Sequence, residues 1–300
     1  MKKTSVIALC SVLVLTGCSG ATATISDKSD AIMTIGNTTI TKEDEYNSLK
    51  ISNGTDLTME LVKQAIYKQE VKVTKKMKKE ANSTIASYEE SMSNFEEQLK
   101  SLGYSSKKEY KNKVIIPSLQ AEALTKKYFT AAKKDIQSTY KPSKAQIIQC
   151  ENKANAKKAL KALKNGEDIS SVAQQYMVDG ATYSGEESLV TTNSSDLPNR
   201  LINKLYKAKK AGVINEVFEN TSSGTSYTYV AVLVDNDYDN IKSDIIDTLS
   251  SEDDITEACL IYYLKKYNFE VHDQDVFDNL KTNNPTYLVS RPDLATSDDD

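Results

Sequence analysis

The sequence is poor in residues that break helices or carry chemistry. It has no Trp, one His, 5 Pro, 10 Gly and 4 Cys in 300 residues. A single His, His272, excludes zinc sites built from several imidazoles. Any Ser-His or Cys-His nucleophile pair would have to recruit that residue from a charged segment near the end. There is no Gly-rich phosphate loop. The net charge of −4 falls to about −6 if Lys2 and Lys3 leave with a signal peptide, which speaks against nucleic acid as a partner. What remains is 27% charged and 39% hydrophobic, an ordinary soluble balance, and so few breakers point to long helices. Charge is uneven: 63–144 is Lys-rich, and 235–257 is acidic. Both read as solvated helix faces; the alternative is a basic surface for anionic clients or lipid headgroups.

The N-terminus carries the strongest pattern. Lys2 and Lys3 precede an apolar run, Val6–Leu15, too short to span a bilayer and suited to a secretory signal, 1–17. Leu15-Thr16-Gly17-Cys18 resembles the bacterial lipobox, which implies a diacylglyceryl anchor on Cys18. Two acyl chains hold a protein stably where one does not. Residues 18–30 are small and polar, a lipidated tether. Of the other cysteines, Cys10 lies in the signal. Cys150 and Cys259 are either paired or two separate buried thiols, and spacing does not decide.

Further on, Ala31–Ile40 reads as a hairpin around Gly36-Asn37, and Thr41 with Asp44 starts a helix. Leu61, Val62, Ala65, Ile66, Val73 and Met77 predict a helix over 57–81. Another runs over 84–102, stopped by Gly103. Ser106 and Glu109 cap a third toward 137, which Pro117 kinks or breaks. After the Tyr140-Lys141-Pro142-Ser143 boundary come a strand at Ala145–Cys150 and helices at 153–164 and 169–176. A polar loop over 179–196, a helix at 200–208 and a strand at Tyr227–Val234 follow. Helix returns over 239–267. The expected domains are a helical part, 31–140, an α+β insert, 141–236, and a helix, 237–270, that completes the first domain. The acidic tail, 271–300, is expected to be disordered.

This layout resembles the PrsA family of Gram-positive foldase lipoproteins and, more distantly, SurA-type chaperones. The likeness rests on Ile35 to Thr41 with Tyr46, on Phe95 to Tyr104 with Lys108 and Tyr110, and on Ala145 to Ile148. It continues through Ala156 to Leu163, Asn165 to Ile169, Val172-Ala173 and Tyr176. It implies an α+β fold class: a SurA-like helical chaperone domain made of N- and C-terminal segments, with a parvulin-like insert. The implied function is an extracytoplasmic, membrane-anchored foldase for unfolded or partly folded secreted proteins. The family's enzyme activity is prolyl cis-trans isomerisation, without cofactor or metal. A homodimer through the helical domain is an arrangement this layout permits.

By register, the two parvulin His positions hold Gln146 and Val230. Asp179 matches the Asp or Cys after the second helix. Tyr183 to Leu189 replaces a Gly-Gly-x-Leu-Gly stretch, and Leu197 and Leu201 stand for the apolar pair that grips proline. Isomerisation crosses a barrier of about 18–20 kcal/mol of amide resonance. An enzyme lowers it by binding the twisted amide more tightly than the planar forms. Gln146 can donate and accept hydrogen bonds; Val230 can do neither. The resemblance with these replacements implies weak or absent isomerase activity. Read without it, Asp179 is a loop-capping carboxylate and Leu197 with Leu201 an i,i+4 core pair. An active isomerase with an altered site and a solute-binding lipoprotein are the rival readings.

Overall fold

A computed structural model describes residues 25–222 and 225–295. Cys18 lies outside the described residues. The first elements are a hairpin, β1 (Ala31–Ile35) and β2 (Thr38–Thr41), then α1 (Lys42–Glu70). Thr41 and Asp44 cap α1 reciprocally: the Thr41 amide donates to Asp44 at 2.9 Å, and the Asp44 amide donates to Thr41 Oγ1 at 3.3 Å.

The helix expected over 57–81 is two helices. α1 ends at Glu70, and α2 (Lys75–Ser91) restarts after Thr74, whose hydroxyl accepts from the Met77 amide at 3.1 Å. Between them the Val71 carbonyl accepts a 2.7 Å hydrogen bond from Gln120, so a distant side chain satisfies a group that left the helix. The run expected over 84–102 is likewise broken, with α3 at Phe95–Ser101. Gly103, at φ +84°, closes α3: its amide bonds the Lys100 carbonyl, and the Tyr104 amide bonds that of Leu99.

Next come α4 (Lys107–Tyr110), a π turn (Lys111–Ile115), α5 (Ile116–Ala131) and α6 (Lys133–Tyr140). Pro117 has no amide to donate. The widened turn just before it lets the helical path continue, where a kink or break was expected.

The α+β part follows: β3 (Ser143–Cys150), α7 (Lys153–Lys164), α8 (Ile169–Tyr176), β4 (Ser184–Val190), α9 (Asn199–Lys207), β5 (Gly212–Val213), β6 (Phe218–Ser222) and β7 (Thr225–Asp235). The sheet runs β4-β3-β7-β5, all pairs antiparallel, with β6 also on β7. Residues 179–196 were expected to be loop, yet they hold β4. Its polar residues are tolerated because it is an edge strand, half open to water.

Two apolar layers cover the sheet. Ala145, Ile147, Ala231 and Leu233 pack with Leu197, Leu201, Ile202 and Leu205 around α9. Ile148, Cys150 and Val230 pack with Ala156, Ala159, Val172 and Ala173 of α7 and α8. The alternation of strand side chains assigns these sets to opposite faces.

The chain ends with α10 (Lys242–Leu249), α11 (Asp253–Lys266), α12 (Gln274–Asn283) and two short 3-10 turns, Pro285–Tyr287 and Pro292–Leu294. The tail from 271, expected to be disordered, is therefore ordered through most of its described length. Asp273 caps α12, and Val276, Leu280 and Leu288 are buried, so the tail has apolar anchors that its acidic composition masks.

The chain divides into two compact units, Met1–Gln69 with Leu260–Asp300 and Glu70–Cys259. The expected domain boundaries at 140/141 and 236/237 both fall inside the second unit, where they bracket the sheet. No helix among the described residues is long and apolar enough to cross a membrane.

Candidate functional site

The residues matched to parvulin positions do not form one site. Gln146 and Val230 lie on the α7/α8 face, two rungs out of register: Gln146 pairs with Val232, and Val230 with Ile148. The Gln146 amide donates to the Gly185 carbonyl at 3.1 Å, a structural bond across to β4. Gly185 itself sits at φ +88°, and a Cβ there would lie 3.1 Å from that of Ala173, so the edge strand is pressed on α8.

Val230 is 0% exposed, and Leu201 and Leu197 are 0% and 3% exposed on the other face. The pair expected to grip proline is buried in the core between α9 and the sheet, as i,i+4 neighbours often are. Asp179 is exposed, in the turn between α8 and β4. Tyr183 and Tyr229 meet edge to face, 6.1 Å apart, and the Tyr229 hydroxyl donates to the Asp196 carbonyl at 3.1 Å. Burial pushes the Tyr229 phenol up to about 12.

Cys150 and Cys259 are both buried free thiols. Burial raises them to about 11 and about 12, so neither is a nucleophile near neutral pH. Among the described residues no group of three or more His, Cys, Asp or Glu side chains is placed to hold a metal ion.

A cavity lies in the first unit. A groove of about 700 Å³ runs between α1 and the chain leading into α12. Tyr46, Leu49, Leu57 and Val62 line one wall, and Phe269 and Val276 the other. Leu49 and Leu57 are 57% and 58% exposed, so the lining is apolar but wet.

An ion cluster spans the groove's rim. Lys50 Nζ is 2.8 Å from Asp273 and 2.5 Å from Asp275. Burial alone would lower the Lys50 pKa, but the two carboxylates outweigh it and hold the ammonium above its usual range. Asp273 also accepts from the Asp275 and Val276 amides, so one carboxylate caps α12 and fastens it to α1.

The expectation of disorder over 271–300 leaves Val271, His272, Asp273 and Val276 out of this groove. Two signals were available: Asp273 at a cap position before Val276, and Val276 with Leu280 at i,i+4.

No family model matches the chain. It is similar to a foldase protein PrsA 2 of Bacillus cereus, 26% identical over 292 residues that cover 93% of this chain and 96% of the relative. A foldase protein PrsA of Bacillus subtilis is 22% identical over 302 residues, covering 94% and 95%. Among solved structures, a peptidylprolyl isomerase PrsA from Bacillus cereus is similar at 22% identity, covering 85% of this chain and 98% of that one, with a TM-score of 0.49. The chain is a relative of the foldase proteins PrsA over almost its whole length.

Proposed function

We propose that this protein is a foldase of the holding kind, anchored to the outer face of the membrane through Cys18. On this reading it binds unfolded or partly folded secreted proteins. The observation that carries it is the similarity to PrsA foldases across 93% of the chain. The apolar groove of the first unit supports it: a surface that holds extended chain needs wet apolar lining and no reacting group.

Isomerisation is weak or absent on this reading. Its support is Gln146 spent on the Gly185 carbonyl, Val230 sealed in the core, and Leu197 and Leu201 behind the opposite face. Nothing there is aimed at a twisting amide, and preorganised polar groups are commonly the largest catalytic contribution.

The test is refolding of a proline-limited substrate with the full chain, followed together with aggregation. The expected result is suppressed aggregation with an unchanged slow phase of tens to hundreds of seconds. Acceleration of the slow phase would refute the inactive-insert reading. If neither changes, the holding role fails. The same chain, made in bacteria fed labelled palmitate, is expected to carry label that Cys18→Ser removes.

A further inference from the structure

The second unit carries a basic groove that the holding reading does not use. α9 is amphipathic: Leu201, Ile202 and Leu205 are buried, while Arg200, Lys204 and Lys207 fall at i, i+4 and i+7 on the outward side. The chain then runs through Lys209 and Lys210 into β5 and on past Glu216 to β6, both strands in line along one edge of β7. Between α9 and the segment 211–216 lies a groove of about 1040 Å³, with Arg200, Lys204, Lys207 and Lys210 as its cations and Glu216 as its single acid. Glu216 is already shared, 2.5 Å from Arg200 and 3.6 Å from Lys204. Among the described residues Lys207 and Lys210 have no acidic partner. A chain of net charge −4 therefore gathers unneutralised positive charge in one concavity.

The wall opposite α9 adds a backbone feature. β5 ends the sheet order, so among the described residues its edge away from β7 has no strand partner. Residues 211–215, which contain it, line the groove, and Asn203 and Asn215 add amides. An open strand edge takes an extended segment by main-chain hydrogen bonds, and flanking cations select the sign of its side chains.

We infer that this groove binds an extended acidic polypeptide segment, laid along β5 with its carboxylates toward Lys207 and Lys210. A lipid surface fits less well, because a planar bilayer meets a protruding basic face more readily than a recess beside a strand edge. The inference goes beyond the holding activity, since it concerns charge recognition on the other unit.

The test is fluorescence anisotropy with the full chain. The probe is a short labelled peptide of alternating Glu and Thr, beside a Lys/Thr counterpart and phosphatidylglycerol vesicles. Binding of the acidic peptide alone is expected, weakened by salt and at least about tenfold weaker in Lys207→Glu/Lys210→Glu. Lys207→Gln/Lys210→Gln should fall between the two, and unchanged circular dichroism shows that each variant is folded. Equal binding by the reversed variant, no binding of the acidic peptide, or capture of vesicles without peptide would overturn it. Aggregation suppression is read on the same variants. Its retention with loss of peptide binding keeps this groove separate from the holding surface, so the two readings fail independently.

Discussion

At the scale of single residues, the chemistry is decided by which way a side chain faces. Gln146 and Val230 share a face but stand two rungs apart, and Leu201 packs on the opposite face of the sheet. On the proposed reading, imidazoles placed at these two positions do not by themselves make a catalyst. Gln146→His/Val230→His is expected to leave the slow refolding phase unaccelerated. It should also lower stability by about 1–3 kcal/mol, because position 230 is sealed in apolar packing and a buried polar ring there lacks partners. Proline-limited refolding and a urea titration of the double variant check both statements; acceleration would show that the face assignment does not govern activity.

Elements were legible where their ends carry local signals. The Thr41–Asp44 box, Gly103 after α3 and Asn165-Gly166 after α7 mark boundaries that the structure keeps within a residue or two. Breaks inside helical patterns were not legible. The 71–74 interruption depends on Gln120 reaching the Val71 carbonyl from 49 residues away, and nothing near Val71 announces it. β4 was missed for a related reason, since its polar residues lack the alternation that a half-buried strand would show. α12 rests on one residue with two duties. Asp273→Ala is expected to cost about 2 kcal/mol, combining a lost cap with a lost partner for Lys50. Asp275→Ala should cost clearly less, because that side chain is 62% exposed. Urea denaturation of the two variants, with hydrogen exchange over 275–283, compares them. Equal losses would mean that Asp273 does not join α12 to α1.

For the whole molecule, the second unit is held partly by protonated groups that dislike charge. Burial raises the Cys150 thiol to about 11 and Cys259 to about 12, both from 9.0. It raises Tyr229 and Tyr238 to about 12 from 10.0, and Tyr140 upward as well, aided by its 2.5 Å bond to Asp254. Each folded pKa lies above its unfolded value, so the unfolded chain releases these protons first as pH rises. The stabilisation is complete below about pH 9 and declines between pH 9 and 12. The urea midpoint is expected to hold level from neutral pH to pH 9 and then fall. In Cys150→Ala/Cys259→Ala the fall should begin nearer pH 10, where tyrosines alone respond. A midpoint that stays flat to pH 11 would contradict this.

The sequence by itself determined what depends on short-range chemistry. The helix caps, the turn glycines and the β-branched run of β7 are each written within a few residues. The PrsA likeness follows from the order of such fragments. Tertiary structure alone decided what depends on direction and distance. It chose the face of the sheet for Gln146, Val230 and Leu201, and it buried Val276 and Leu280 in a tail whose acidic composition suggested disorder. It also turned Lys207 and Lys210 toward one recess. The physical reason is that a strand reverses its side chains at every residue, while caps and turns are satisfied by neighbours in the chain. Contacts between distant segments, such as Lys50 with Asp273, exist only once the chain has closed on itself.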